Sequence, residues 1–157
     1  MRLALYQPDI PQNTGTILRL AACLSIGVDI IEPCGFPFDD KRLRRSGMDY
    51  IDDLDISRHP SWNIFFSGVA GRIILMTTKG ATPLTKFRFE KSDVILLGRE
   101  SAGVPDLVHN QSTDRILIPM APGKRSLNVA VAAAIALGEG LRQTDGFPGF
   151  FSSGNSN

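Results

Sequence analysis

No stretch of this chain reaches the roughly 18 uninterrupted apolar residues of a membrane span. The apolar opening, Met1-Arg2-Leu3-Ala4-Leu5-Tyr6, is too short for a signal peptide and leads into no small-residue cleavage pattern. The expected compartment is therefore the cytosol, with no membrane partner. Cysteine is nearly absent: Cys23 and Cys34 form no CxxC pair and have no histidine beside them. In a reducing compartment they read as buried or inert thiols rather than a disulfide. His59 and His109 are isolated and belong to no metal-spaced cluster, so no metal is expected.

Nucleotide signatures are missing too. The loop Gly98-Arg99-Glu100-Ser101-Ala102-Gly103 has glycines at both ends, but Val104 and Pro105 stand where a phosphate loop requires Lys and Ser or Thr. Lys124 is followed by Arg125, which fails the same test, and no GxGxxG occurs. There is no nucleophile elbow and no Ser-His-Asp order. Two glycines flanking a glutamate still let backbone approach a ligand closely. An ordinary strand-to-helix turn would look the same.

What is present fits one globular domain. The 157 residues are 43% hydrophobic and 21% charged, enough chain and apolar content to bury a core. No repeat or long linker divides them. Residues 1–151 read as a single domain, and 152–157, rich in Ser, Gly and Asn, as a disordered tail. The formal net charge of +1 does not announce a nucleic acid, but its distribution is uneven. Lys41, Arg42, Arg44 and Arg45 fall within five residues, followed by Asp49, Asp52, Asp53 and Asp55. Such a basic run is either a solvated face or a phosphate contact.

Short β-branched runs alternate with helical runs, the pattern of an α/β domain with a mainly parallel sheet flanked by helices. Strands are predicted over Arg2–Tyr6, Val28–Ile31, Arg72–Thr78, Asp93–Leu97 and Arg115–Ile118, with an ambiguous stretch over Asp49–Ser57. Helices are predicted from Asn13 or Thr14 to about Ser25, after Asp39 through Arg45, over Pro60–Gly68 and Val104–Asn110, and from Leu127 to Gln143. The last three strands run into loops of unusual composition: Thr77-Thr78-Lys79-Gly80, then Gly98 to Gly103, then Pro119 to Ser126. Ligands of parallel α/β sheets sit beyond the carboxyl ends of strands, so these loops define a candidate site.

Two helices carry odd residues. Arg19 sits in Ile17-Leu18-Arg19-Leu20-Ala21-Ala22, apolar on nearly every side. A lone cation there must reach solvent, pair with an acceptor or point into a site, and Asn13 could share its polar patch. Ser126 is a natural cap for the last helix, and Asn128 adds a second polar group. That helix reads Val129-Ala130-Val131-Ala132-Ala133-Ala134-Ile135-Ala136-Leu137 and should be buried all round, in the core or against another subunit.

Three ordered blocks carry a family resemblance. Pro11-Gln12-Asn13-Thr14-Gly15 with Arg19, Gly98 to Pro105, and Ile118-Pro119-Met120 leading to Ser126-Leu127-Asn128-Val129-Ala130 resemble the three motifs of the SPOUT-type RNA 2′-O-ribose methyltransferases. Ile31-Glu32-Pro33, the run Asp39 to Arg45 and the small size narrow the resemblance to the bacterial enzymes that methylate the tRNA wobble nucleotide. It spans Leu5 to about Gly149.

The resemblance implies a C-terminal deep trefoil knot, which topology rules alone would have excluded. It implies S-adenosylmethionine as methyl donor, held by Met76 or Thr77, Gly98, Ile118 and Ser126, with Glu100, Gly103 and Met120 nearby. It implies a homodimer in which the partner can lend Arg19, and a tRNA anticodon stem-loop as substrate, with cytidine or a 5-modified uridine at position 34 of leucine tRNAs. Arg19, Asn13, Glu100 and Asn128 would be the catalytic group, and Lys41, Arg42, Arg44 and Arg45 the RNA contacts. The rivals are the same chemistry on ribosomal RNA, a silent RNA-binding module of the same fold, and a flavodoxin-like nucleotide-binding domain.

Overall fold

A computed structural model describes residues 1–39, 54–80 and 82–149. Strand β1 (Arg2–Tyr6) leads through Pro8 into α1 (Pro11–Cys23), and the chain returns as β2 (Gly27–Ile31). Then come β3 (Ile56–His59), α2 (Trp62–Gly68), β4 (Ile73–Met76), a two-residue strand β5 (Thr82–Pro83) with a 3-10 turn over Leu84–Lys86, and β6 (Val94–Leu97). A short α3 (Asp106–Gln111), β7 (Asp114–Leu117) and the long α4 (Val129–Thr144) complete the described chain.

The strands form one sheet in the order β3-β2-β1-β6-β4-β7-β5, every pair parallel. Both faces are covered, which explains why the strands read as near-continuous apolar runs instead of alternating ones. On one face Leu3, Leu5, Ile30, Ile74 and Ile95 pack with Ile17 and Leu18 of α1 and Ala133 and Leu137 of α4. On the other, Ala4, Tyr6, Leu75 and Leu96 pack with Trp62 and Phe65 of α2 and Val108 of α3. The insertions matter most. β6 slots between β1 and β4, and β7 slots between β4 and β5, so the later strands enter positions the earlier ones leave open.

Several boundaries differ from the sequence reading for local reasons. α1 starts at Pro11, ahead of the start expected at Asn13 or Thr14, either of which could have capped it. Proline suits the first helical position because its missing N–H would be unsatisfied there anyway. Asn13 is thereby freed from capping. α4 is capped by Asn128, not Ser126: the Asn128 Oδ1 accepts from the backbone N–H groups of Ala130 (2.8 Å) and Val131 (3.3 Å). Within the chain α4 is not buried all round, since Val131 is 48% and Ile135 41% exposed. Of the ambiguous stretch Asp49–Ser57, the described part enters β3 at Ile56; residues 40–53 lie outside the described residues. The edge strand β5 was not expected, because Gly80 and Pro83 read as breakers; Pro83 is tolerated there because an edge strand can spare a donor.

The isolated residues resolve simply. His59 shares a hydrogen bond of 2.8 Å with the buried Asp29, which also accepts from Arg2 Nε at 2.8 Å. Cys23 and Cys34 are free thiols, the first exposed and the second half-buried, with burial pushing the Cys34 thiol up. Among the described residues no helix is long and apolar enough to cross a membrane, and no group of three His, Cys, Asp or Glu could hold a metal ion.

Candidate functional site

A cavity of about 770 Å³ opens at the carboxyl ends of β4, β6 and β7. Register places it there. Met76 pairs with Leu97 and with Ile116, so the loops that follow these three strands emerge side by side. Met76 ends β4 and Thr77 opens the first loop, Gly98 and Gly103 come from the second, and Ile118, Met120 and Ser126 from the third. Every cofactor-binding residue expected from the sequence therefore lines one space. Leu75, Leu97, Leu117 and Ala132 give it an apolar floor.

The second loop is a closed turn. Arg99 N–H donates to Gly103 O (3.0 Å) and Gly103 N–H to Arg99 O (2.9 Å). Gly103 has φ +66°, and Gly98 lies so close that an added Cβ would sit 2.8 Å from the Gly103 carbonyl carbon. Both end glycines are therefore required, one by its backbone angle and the other by lack of space.

Three of the four expected catalytic residues meet at the cavity. Asn13 Nδ2 donates to Glu100 Oε1 at 3.1 Å, and Asn128 Nδ2 donates to Asn13 Oδ1 at 2.9 Å. The relay joins the first turn of α1, the β6 loop and the cap of α4. The second oxygen of Glu100, Oε2, is buried without a partner. Arg19 does not join them: it is exposed on α1 and does not line the cavity of its own chain. Lys41, Arg42, Arg44 and Arg45 lie outside the described residues.

Sequence reasoning missed Asp9. Because β1 and β6 are parallel neighbours, with Leu5 opposite Leu97, the loop after β1 lies beside the loop after β6. There the Asp9 carboxylate accepts from Glu100 N–H (3.2 Å) and from the Ser101 hydroxyl. The neighbouring Glu100 carboxyl, then the Ser101 hydroxyl and the turn's N–H groups, hold Asp9 down at about 2. Burial, then the nearby Asp9, pushes Glu100 up. Of the two carboxyls, Glu100 is therefore the one shifted toward its protonated form. The only sequence signal for Asp9 was an acid at a strand's carboxyl end. Lys124, which also lines the cavity, was seen only as a failed phosphate-loop lysine.

Chemically, the cavity suits a ligand with a flat apolar part and a few polar groups. Gly98 and Gly103 let backbone approach it, and Asn13, Asn128 and Lys124 add polar groups to its lining. A parallel sheet with such a site built from three neighbouring strand ends defines a class, and comparison of the whole sequence agrees: the SpoU rRNA Methylase family matches residues 1–138, and the chain belongs to that family. That membership removes the flavodoxin-like alternative.

Among individual proteins, the chain is 55% identical over 144 residues to the tRNA (cytidine(34)-2′-O)-methyltransferase of Beijerinckia indica subsp. indica, covering 90% of each chain. It is 37% identical over 152 residues to the enzyme of the same name from Escherichia coli K12, covering 95% of this chain and 96% of that one. A solved structure described as giving insight into 2-OH methylation of C/U34 on tRNA superposes with a TM-score of 0.85 at 38% identity, covering 90% of this chain and 94% of the other. The SpoU methyltransferase AviRb of Streptomyces viridochromogenes, solved with AdoMet, superposes with a TM-score of 0.79 at 26% identity, covering 91% of this chain and 60% of that one.

Proposed function

We propose that this protein transfers a methyl group from S-adenosylmethionine to the ribose 2′-oxygen of nucleotide 34 of tRNA, a cytidine or 5-modified uridine in leucine tRNAs. It works as a cytosolic homodimer whose C-terminal part threads a deep trefoil knot. One observation carries the reading: the loops after three neighbouring strands and the Asn13–Glu100–Asn128 relay line a single cavity. The names of the relatives point to position 34. Seating of β7 between β4 and β5, with α4 returning against the core beside α1, supports the knot. The exposed apolar side chains of α4 support a dimer.

S-adenosylmethionine supplies a methyl carbon already activated by a positively charged sulfur. The chain's own residues then have to orient, hold and exclude. The three loops, with Gly98 and Gly103 at closest approach, fix the donor over the apolar floor of the cavity and keep water away. Asn13 and Asn128, fixed by each other and by Glu100, present amides to the ribose side. Arg19 of the partner subunit closes the site. A guanidinium stays protonated at neutral pH and is a poor base there. Arg19 therefore holds the 2′-oxygen or the adjacent phosphate in line. Lys41, Arg42, Arg44 and Arg45 hold the stem-loop backbone.

Incubation with labelled methyl donor and unmodified total tRNA, followed by nucleoside mass spectrometry and mapping, tests this. The expected product is a 2′-O-methylated nucleotide at position 34. The family's description as rRNA methylases favours a second reading, action on ribosomal RNA, and a parallel reaction with rRNA decides between them. Label in rRNA alone, or donor binding without transfer to any RNA, would overturn the assignment.

A further inference from the structure

Asp9 touches nothing that the proposed reaction consumes, yet it stands where two parts of the site meet. Its own position is fixed from behind. Gly35 N–H donates to Pro8 O at 2.9 Å, and a Cβ on Gly35 would lie 2.7 Å from the Cβ of Asp9 and 2.9 Å from its Cα. The loop after β2 is therefore packed against the backbone of the loop after β1 with no room for a side chain at Gly35. In front, the Asp9 carboxylate takes the Glu100 N–H on one oxygen and the Ser101 hydroxyl on the other. Those two residues are the middle of the turn whose end glycines close on each other. Glu100 in turn receives Asn13, which receives Asn128, the cap of α4.

We propose that Asp9 is a positioning residue for methyl transfer: it pins the turn 98–103 to the loop after β1, and so sets both the glycine cradle for the donor and the Glu100 carboxyl that orders the two asparagines. This rests on the reading of the cavity given above. The physical case is that a two-bonded carboxylate is a strong anchor for a short turn on the protein surface. Hydrogen bonds to a charged acceptor are worth more than neutral ones, and their loss leaves the N–H of Glu100 unpaired. Asp9 acts through Glu100 and Ser101, never on the reacting atoms.

The substitutions separate geometry from charge. Asp9→Asn can keep both bonds, its oxygen accepting from Glu100 N–H and its amide donating to the Ser101 oxygen. Asp9→Ala keeps neither. The expected result is that Asp9→Ala weakens donor binding by calorimetry about tenfold or more and lowers kcat, while Asp9→Asn stays within about threefold of wild type in donor affinity. Asp9→Ala should cost less on a Glu100→Gln background than alone, because the two residues act along one path. A donor-free readout stands beside these: amide hydrogen exchange at Glu100 should be slow in wild type and Asp9→Asn, and about tenfold faster in Asp9→Ala. If Asp9→Ala does not fold, Ser101→Ala removes one of the two bonds and should still weaken donor binding measurably.

The proposal is overturned if Asp9→Ala leaves exchange at Glu100 unchanged, or if Asp9→Asn loses as much donor affinity as Asp9→Ala. It is also overturned if Ser101→Ala leaves donor binding unchanged, or if the effects of Asp9→Ala and Glu100→Gln multiply in full. A wild-type protein that binds no donor at all sinks the function instead, and the exchange measurement still reads the pinning of the turn by Asp9.

Discussion

Replacing Gly98 by alanine asks how much of the site depends on one missing methyl. Built on the existing backbone, the new Cβ lies 2.8 Å from the Gly103 carbonyl carbon, 3.0 Å from its Cα and 3.1 Å from its oxygen, all backbone atoms. Ordinary contact begins at 3.4 Å, so the two sides of the turn must part by at least about 0.6 Å. They are held by the reciprocal Arg99–Gly103 hydrogen bonds of 3.0 and 2.9 Å, which cannot both survive such a shift. Overpacking of this kind costs about 1–3 kcal/mol. If the cost is met by opening the turn, and the donor needs it closed, donor affinity falls by about five- to 150-fold at 1.4 kcal/mol per decade. Gly103 makes the control. A Cβ there meets nothing within 4 Å, and only its φ of +66° objects. Gly103→Ala should therefore lose about 1–2 kcal/mol through strain, and Gly103→Asn should recover part of it, because asparagine tolerates the left-handed region. Gly98→Asn should recover nothing relative to Gly98→Ala. Titration calorimetry with S-adenosylmethionine reads all four. Wild-type affinity in Gly98→Ala, or rescue by asparagine at position 98, would refute the close-approach reasoning.

Arg19→Ala should lower turnover by orders of magnitude while donor affinity stays near wild type; if Arg19 serves the partner's site, random mixing with Gly98→Ala subunits, at a donor concentration too low to fill their own sites, should restore about a quarter of wild-type activity, because half the dimers are hybrid and half their sites are intact. No recovery on mixing would return Arg19 to its own subunit. Val131→Asp with Ile135→Asp should convert a dimer to monomers in sedimentation, since both side chains are exposed apolar groups on α4; an unchanged species moves the interface elsewhere. Neutralising Lys41, Arg42, Arg44 and Arg45 should weaken tRNA binding and flatten its dependence on salt, by about 0.7–0.9 in the log–log slope for each phosphate no longer neutralised. An unaltered slope makes that run a solvated face. The Glu100 carboxyl, followed by carbon NMR, should titrate above the ordinary value of about 4.3 and move down in Asp9→Asn, because a neighbouring carboxylate disfavours ionisation. A midpoint that ignores the substitution contradicts the pairing. The sign for stability follows: a carboxyl raised in the folded state stabilises below its unfolded value, and that contribution is lost as pH rises through the folded one.

The apolar strands were legible because they are buried on both faces, and burial on both faces leaves continuous runs such as Ile73–Met76 and Val94–Leu97. The loops after β4, β6 and β7 were legible for a different reason: glycine, proline and polar residues cluster where strands end. What the sequence hid was competition between local roles. Ser126 and Asn128 both cap well in principle, and tertiary position chose Asn128, whose amide also reaches Asn13. Asn13 looked like a cap, and Pro11 displaced it from that role. Asp9 carried only its place beyond the end of a strand, since its partners are more than 90 residues away in the chain.

Strand order explains why such residues meet. Asn13 lies 87 residues from Glu100 and 115 from Asn128, so no spacing rule joins them. The insertion of β6 beside β1 brings the turn 98–103 against the loop that starts α1. The insertion of β7 beside β4 carries the third loop to the same edge, and from there α4 runs back over the sheet next to α1. Each insertion adds one wall to the cavity and one member to the relay. A chain with the same strands in sequential order would have the same loops and no common cavity. The chemistry therefore resides in the order of the strands as much as in the residues at their ends, and a circular permutant that keeps every side chain but disturbs the seating of β6 or β7 should lose donor binding along with its fold.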